Sequence, residues 1–357
     1  MKLKAKICKL TSGIFATAAL ATTISGCDSM IYDDSDCVES YNVIRFEYTH
    51  NMKFADAFAP EVDRVTLLAF NSTTGKLAKR IEATSADLKD GNKMVLAIEP
   101  GEYDLLAWGG DYGKSFDIAA GQEGTSTLAD FHCRMQRTES ADGHHVDKDL
   151  APLYHGLTHV SLPYASPSAP NEVLLPVKKN TNVIRVVLQH ISGEVVDHTN
   201  FEFSITDKNG WLNHDNTLRD GTTQINYHPW HLATGSVDIN QNPTDAPGSK
   251  ACSVEASSRA VLGASLAEFT LNRLLVENNP ILTVTNKNTG GTVLRVPLKD
   301  YALLVKGFYH QQMSDQEYLD RQDEYNMTFF LDEGLRWVNT VIIINNWRVV
   351  RHEMPFE

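Results

Sequence analysis

Short segments of alternating polarity, separated by turns about every ten residues, constrain the fold of this chain more than any other feature. The segment YNVIRFEYTH (41–50) alternates in polarity, and the turn NSTTGK separates VDRVTLLAF (62–70) from KLAKRIEAT (76–84). No helical pattern of about 10–15 residues lies between such segments, and a crossover between parallel strands would need one. We therefore predict an all-β fold built of antiparallel sandwiches.

The length of the chain, 357 residues, exceeds what one hydrophobic core commonly serves, so two domains are expected. A proline-rich stretch without periodicity, residues 161–176, indicates the connection between them. We predict an N-terminal β-sandwich over residues 39–160 and a C-terminal β-sandwich over residues 177–357.

One short helix is predicted near the C-terminus, where Ser314-Asp315-Gln316-Glu317 has the pattern of a capping box. In such a box the Ser314 side chain accepts a hydrogen bond from the third helical amide, while Glu317 reaches back to the amide of the cap. The helix should cover about residues 315–325.

The N-terminus has the three parts of an export signal: four lysines, a short apolar run from Ile14 to Ile24, and the small residues before Cys27. The run is too short to span a bilayer as a stable helix. Residues 1–26 therefore read as a signal peptide, and the sequence around Gly26-Cys27 resembles a bacterial lipoprotein lipobox. The alternative is an ordinary signal peptide with an incidental cysteine.

The lipobox resemblance implies cleavage after Gly26, a diacylglycerol thioether on Cys27 and an acyl chain, such as palmitate, on its new amine. Several chains together anchor a protein far more firmly than one. Residues 27–38 form an acidic tether that resembles the surface-export signal of lipoproteins in the bacteroides group; a solvated linker is the other interpretation. We expect a protein held to the outer membrane by lipid and exposed at the cell surface.

Charge excludes one class of partner. The formal net charge is −13, and loss of the four signal lysines leaves 28 basic against 45 acidic residues. Such a surface is repelled by phosphate backbones, so we expect no nucleic-acid partner.

Three cysteines remain besides Cys8 and Cys27: Cys37, Cys133 and Cys252. They allow at most one internal disulfide, and both a Cys37–Cys133 bridge and unpaired buried thiols fit the sequence. Their spacing matches no metal site.

No catalytic motif was found. His144-His145 falls in a polar loop and is expected to be solvent-exposed, while His155 and His159 would share a face only on a helix. Aromatic residues near turns, such as Trp108, fit either a glycan platform or plugs at the ends of a sandwich. The chain lacks G-x-S-x-G and H-E-x-x-H. We expect no enzyme activity, no metal, no cofactor and no small-molecule substrate.

Two separated blocks carry a family resemblance. YNVIRFEYTHNMKFADAFAPEVDRVTLLAF (41–70) and DQEYLDRQDEYNMTFFLD (315–332), the latter followed by VIIINNWRVV, resemble the ends of FimB/Mfa-type fimbrial anchor lipoproteins. With the lipobox, these blocks occur in the family's order.

The resemblance implies two tandem transthyretin-like sandwiches at the base of type V-like pili. Such proteins hold the shaft to the outer membrane, limit its elongation and bind shaft subunits by β-strand addition. The alternatives are an accessory or tip subunit of the pilus, or a surface lipoprotein that binds a glycan or a host ligand.

Overall fold

A computed structural model of the chain describes residues 39–141, 143–238, 261–307 and 310–350. Most of these residues lie in β-strands, as the alternating patterns predict, and the all-β fold is confirmed. The first twelve strands are β1 (Ser40–Glu47), β2 (Arg64–Asn71), β3 (Lys76–Thr84), β4 (Lys93–Ile98), β5 (Gly101–Gly109), β6 (Phe116–Ile118), β7 (His132–Met135), β8 (Thr138–Ser140), β9 (Gly143–Val146), β10 (Tyr154–Leu162), β11 (Asn171–Pro176) and β12 (Lys178–Lys179).

The remaining described strands follow in the second half of the chain. They are β13 (Thr181–His190), β14 (Phe201–Asp207), β15 (Trp211–Asn213), β16 (Ile225–Tyr227), β17 (His231–Asp238), β18 (Val261–Asn272), β19 (Ile281–Asn286), β20 (Thr292–Pro297), β21 (Glu324–Leu331), β22 (Trp337–Ile344) and β23 (Trp347–Val350). Helices are few and short: α1 (Phe58–Glu61), α2 (Lys89–Asn92), α3 (Leu298–Leu303) and α4 (Asp315–Arg321).

The five-stranded sheet β12-β10-β5-β2-β3 is buried on both faces at its centre, along β2 and the second half of β5. Along β2 every residue from Val65 to Phe70 is buried, which explains why this segment is a continuous apolar run instead of an alternating one. Leu67 faces one hydrophobic core and Leu68 faces the other. This sheet is therefore a central layer shared by two cores.

The first core lies between the central layer and the three-stranded sheet β11-β1-β4. Strand β1 alternates buried and half-buried residues, with Ile44 and Phe46 pointing inward, as its sequence predicts. Strand β11 lies parallel to β1, from Asn42 opposite Asn171 to Glu47 opposite Pro176. The predicted linker over 161–176 thus contributes strand β11 to this sheet. The prolines do not interrupt β11, because they lie at its last residue and in the loop that precedes it.

The second core is the larger one. It lies under the six-stranded sheets β17-β18-β13-β21-β22-β23 and β20-β19-β14-β16-β9-β8, and also contacts the small sheet β15-β7-β6. Most neighbouring strands are antiparallel, but β1–β11, β13–β21 and β16–β9 are parallel pairs. Their connections run through other strands instead of a crossover helix, a route that the sequence patterns did not indicate.

Strands from both predicted domains share sheets. Strand β9 pairs with β16, and β7 pairs with β15, so two sheets combine residues from before 160 with residues from after 177. The described residues from Glu39 onward belong to one compact unit. The division into 39–160 and 177–357 stays a prediction.

The fold ends in a hairpin that turns at two asparagines. Within the segment VNTVIIINNWRVV, Asn345 and Asn346 have φ angles of 46° and 68° and form the turn of the hairpin β22–β23. Two consecutive left-handed residues are what a type I′ turn requires, and asparagine tolerates them. Strand β23 thereby becomes the edge of the six-stranded sheet.

Candidate functional site

The exposed side of strand β23 is the first component of the candidate site. β23 pairs with β22 on one side, from Ile344 opposite Trp347 to Val341 opposite Val350. It is the last strand of its sheet, so within the described residues its other side has no neighbouring strand. An open edge of this kind is a template for pairing with another chain.

An apolar groove lies beside this edge. Its volume is about 480 Å³, and we call it the edge groove; it is lined by Met52, Leu304, Val305, Lys306, Gly307, His310, Tyr318, Gln322, Asn345, Trp347, Arg348 and Val349. Trp347 is 64% exposed and Leu304 is 48% exposed, whereas Met52, Val305 and Val349 pack against the second core. The core therefore continues to the surface here, as apolar surfaces do where proteins bind one another.

Helix α4 forms one wall of the edge groove. Ser314 is its N-cap, and the Ser314 Oγ accepts a hydrogen bond from the Glu317 amide at 3.1 Å. The Glu317 carboxylate accepts a hydrogen bond from Arg321 Nε at 2.9 Å. The helix ends at Arg321, earlier than expected, because strand β21 begins at Glu324.

A buried ion pair fixes the inner side of α4. Asp320 accepts hydrogen bonds from Arg273 Nε and Nη2, each at 2.7 Å, and from Gln316 Nε2 at 2.8 Å. Burial acts to raise the pKa of Asp320, but the hydrogen bonds and charge of Arg273 hold it below its ordinary value. Asp320 is thus ionised at neutral pH, and it ties the helix to the end of β18.

The outer side of α4 holds the turn that follows β1. Arg321 Nη1 donates a hydrogen bond to the Thr49 carbonyl at 3.1 Å, and its guanidinium lies 4.7 Å from the centroid of the Phe54 ring. This turn belongs to the first block of the family resemblance and α4 belongs to the second. The structure therefore brings the two blocks together beside the edge groove, where Met52 forms part of the lining.

The predicted lipidation site, Cys27, lies outside the described residues, as do Gly26 and Cys37. Cys133 is buried in the second core, and burial raises the pKa of its thiol above the ordinary value. The Cys37–Cys133 bridge stays a prediction, as does the lipid on Cys27.

The histidines occupy structural positions that differ from the expected ones. His144 and His145 lie half-buried on strand β9 instead of in an exposed loop, and His145 Nδ1 is 3.1 Å from His228 Nε2. His155 and His159 lie on strand β10, and positions four apart share a face on a strand as well as on a helix.

Their surroundings, however, separate these two residues. His155 is buried against Trp108, its Nε2 lies 2.7 Å from the His214 carbonyl oxygen, and burial lowers its pKa to about 4. His159 is exposed and paired with Asp104.

The aromatic residues near turns also separate into two groups. Trp108 is fully buried in the second core, whereas Trp230 is 37% exposed. Among the described residues, no three His, Cys, Asp or Glu side chains are grouped so that they could hold a metal ion. In that part of the chain, no helix is long and apolar enough to cross a membrane.

The fold and the site together define a class of protein: stacked β-sheets with an open strand edge beside an apolar groove. The profile of the family described as fimbrillin-A associated anchor proteins Mfa1 and Mfa2 matches residues 32–353. The chain belongs to this Mfa2 family of fimbrial anchor proteins.

Several solved structures are similar. A putative adhesin from Bacteroides thetaiotaomicron is 30% identical, with a TM-score of 0.74, over 88% of this chain and 99% of that one. A second protein of that organism, described as a putative polysaccharide binding protein, is 26% identical, with a TM-score of 0.71 and the same shares of the two chains. The search of curated proteins returned no match.

The fimbrial anchor protein Mfa2 from Porphyromonas gingivalis has the same fold, with a TM-score of 0.61 at 17% identity over 88% of this chain and all of that one, 100%. Membership in this family associates the chain with fimbrial subunits and with the cell envelope. The family is one of structural anchors and adhesins and is not a known enzyme family.

Proposed function

We propose that this protein is an outer-membrane lipoprotein that anchors a fimbria at the cell surface by accepting a β-strand from a shaft subunit along β23. The observation that carries the proposal is the open β23 edge beside the edge groove, in a chain of the fimbrial anchor family. The lipid on Cys27 would supply the attachment to the membrane.

Strand addition suits this site because the β23 backbone and the edge groove contribute to binding in different ways. The backbone of β23 offers hydrogen bonds to any extended strand, while the groove selects apolar side chains at alternate positions. Trp347 and Leu304 would be covered by such a strand, which removes exposed apolar surface from water. An anchor that only accepts a strand also leaves no site for a further subunit, which would limit elongation.

Paired tryptophan variants test the groove. Trp347→Ser should lower the amount of shaft subunit retained on the purified protein at least tenfold, because Trp347 is the most exposed apolar wall of the edge groove. Trp230→Ser removes another exposed tryptophan and should have no effect. Equal retention by both variants would contradict the proposal.

Blocking the backbone edge gives an independent test. In a two-residue hairpin the closing pair, here Ile344 and Trp347, is hydrogen-bonded, so the Arg348 amide points away from β22. Arg348→Pro removes this outward donor while leaving the β22 pairing in place. Shaft binding should fall with little change in melting temperature; unchanged binding would contradict strand addition at β23.

A second candidate function is glycan binding. A cleft of about 550 Å³ at the end of β14 and β19 is lined largely by polar side chains, among them Gln224, Glu277, Asn278 and Arg295. These are donors and acceptors of the kind that hold sugar hydroxyls, and one relative is described as a putative polysaccharide binding protein. A glycan array with the parent and Glu277→Gln tests this function; binding unaffected by the variant would exclude this cleft.

A further inference from the structure

Arg137 is a partly buried cation without a counter-ion. It follows strand β7, its Nε is buried without a hydrogen-bond partner, and within the described residues its guanidinium makes no ion pair. Burial, together with the charge of Arg134, lowers the pKa of Arg137, and the Glu139 charge opposes that shift. A partly buried guanidinium with an unpartnered Nε proton has lost part of its hydration without compensation, so the position is suited to an anion.

Other donors surround the same space. A cavity of about 160 Å³ is lined by residues 136–138 and 145–148, and we call it the Arg137 pocket. Thr138 and His145 lie directly opposite each other on β8 and β9. Lys148 Nζ donates hydrogen bonds to the Lys114 carbonyl at 2.8 Å and to Gln136 Oε1 at 3.4 Å, and its ammonium group has one further proton.

The second ring nitrogen of His145 is also without a partner. His145 Nδ1 lies 3.1 Å from His228 Nε2, and His145 Nε2 is buried with no hydrogen-bond partner. If His228 donates to Nδ1, a neutral His145 carries its proton on Nε2. His145 is then a hydrogen-bond donor in the lining of the Arg137 pocket.

The charge of the lining is positive. Arg137 and Lys148 contribute two positive charges, and Asp147, which is exposed, contributes one negative charge. The whole chain carries a formal charge of −13, so a locally positive cavity contrasts with the rest of the surface.

We propose that the Arg137 pocket binds a tetrahedral oxyanion, a phosphate or sulfate group. The guanidinium fork matches such oxygens geometrically, and Lys148 supplies a second point charge. The cavity is smaller than pockets for drug-sized ligands, about 300–1,000 Å³, so it accommodates one such group and not an extended peptide.

Inorganic phosphate is the probe. The protein should melt at a higher temperature as phosphate is added, since a ligand that binds only the folded state stabilises that state by mass action. Sodium chloride at matched ionic strength should not reproduce the shift, and sodium sulfate should. Isothermal titration gives the dissociation constant directly.

Two arginine variants separate binding from a structural role. Arg137→Gln should weaken phosphate binding at least tenfold and, in phosphate-free buffer, melt close to the parent temperature, because the Arg137 guanidinium makes no ion pair within the described residues. Arg336→Gln is the matched control: it makes the same charge change at an exposed arginine in the turn between β21 and β22, and it should bind as the parent does.

Three results would overturn the proposal: no phosphate-dependent shift in the parent, an equal shift with chloride, or unchanged affinity in Arg137→Gln. If Arg137→Gln does not fold, Lys148→Gln is measured against the same criterion. A parent affinity in that variant would likewise overturn it.

Discussion

The guanidinium of Arg273 holds both carboxylate oxygens of Asp320, with two nitrogen–oxygen distances of 2.7 Å, in an almost fully buried setting. Through this pair the end of strand β18 is joined to helix α4, and α4 in turn contacts the turn after β1 through Arg321. The wall of the edge groove therefore depends on residues from three distant parts of the chain.

Removing the Asp320 charge should destabilise the protein strongly. Asp320→Asn leaves Arg273 buried without a counter-charge, a change that typically costs about 3–5 kcal/mol in the free energy of unfolding. Urea unfolding checks this value. Asp111→Asn, which removes a carboxylate from an exposed ion pair with Lys114, is the control and should leave the midpoint nearly unchanged.

The same pair sets a pH dependence. Because the folded pKa of Asp320 lies below its unfolded value, its contribution to stability is complete above about pH 4 and is lost as the pH falls through the folded pKa. The difference in stability between the parent and Asp320→Asn should therefore shrink below that pH. A constant difference down to pH 2 would contradict this reading.

Cys133 should resist thiol reagents in the native protein. It is buried in the second core and its pKa is raised by burial, so a reactive thiolate is scarce. We expect alkylation only after unfolding in urea, as measured by mass spectrometry. Protection that persists in urea and disappears with reductant would indicate a disulfide at Cys133, as the Cys37–Cys133 bridge requires, whereas rapid labelling of the native protein would contradict the burial of Cys133.

Membrane attachment should depend on Cys27. A thioether to lipid requires its sulfur, so Cys27→Ala should leave the protein in the periplasm or the medium, or uncleaved. Fractionation followed by immunoblotting measures this outcome. Cys8→Ala, which alters a cysteine within the signal peptide, is the matched control and should fractionate as the parent does. Continued recovery of Cys27→Ala with outer membranes would exclude the lipoprotein interpretation.

The cap of α4 should make a modest contribution. Ser314→Ala removes the acceptor for the Glu317 amide and should cost roughly 0.5–2 kcal/mol in the free energy of unfolding. Ser314→Asp keeps an acceptor at the N-cap and should retain most of the stability. A melting curve of Ser314→Ala that coincides with the parent's would show that the cap contributes nothing.

Local patterns predicted the strands well because alternation and turn chemistry are local properties. The segment 76–84 is strand β3, and the alternation of β1 gives its buried face. The hairpin at Asn345-Asn346 was detectable in principle, since two adjacent asparagines favour left-handed backbone.

Long-range contacts were beyond a single sequence. Arg321 and Thr49 are separated by 272 positions, and the His145–His228 contact spans 83. Nothing local to either partner indicates the other, so the edge groove and the Arg137 pocket emerge only from the fold. The continuous apolar run in β2 was visible as a pattern, but its cause, burial between two cores, was not.

That central layer has a consequence for how the protein loses its structure. Neither core can open without exposing one face of the sheet β12-β10-β5-β2-β3 to water. Because the other core packs against the opposite face of the same strands, opening one core also weakens the packing of the other. The two halves are then thermodynamically coupled, and scanning calorimetry should record one cooperative transition, with calorimetric and van't Hoff enthalpies in agreement.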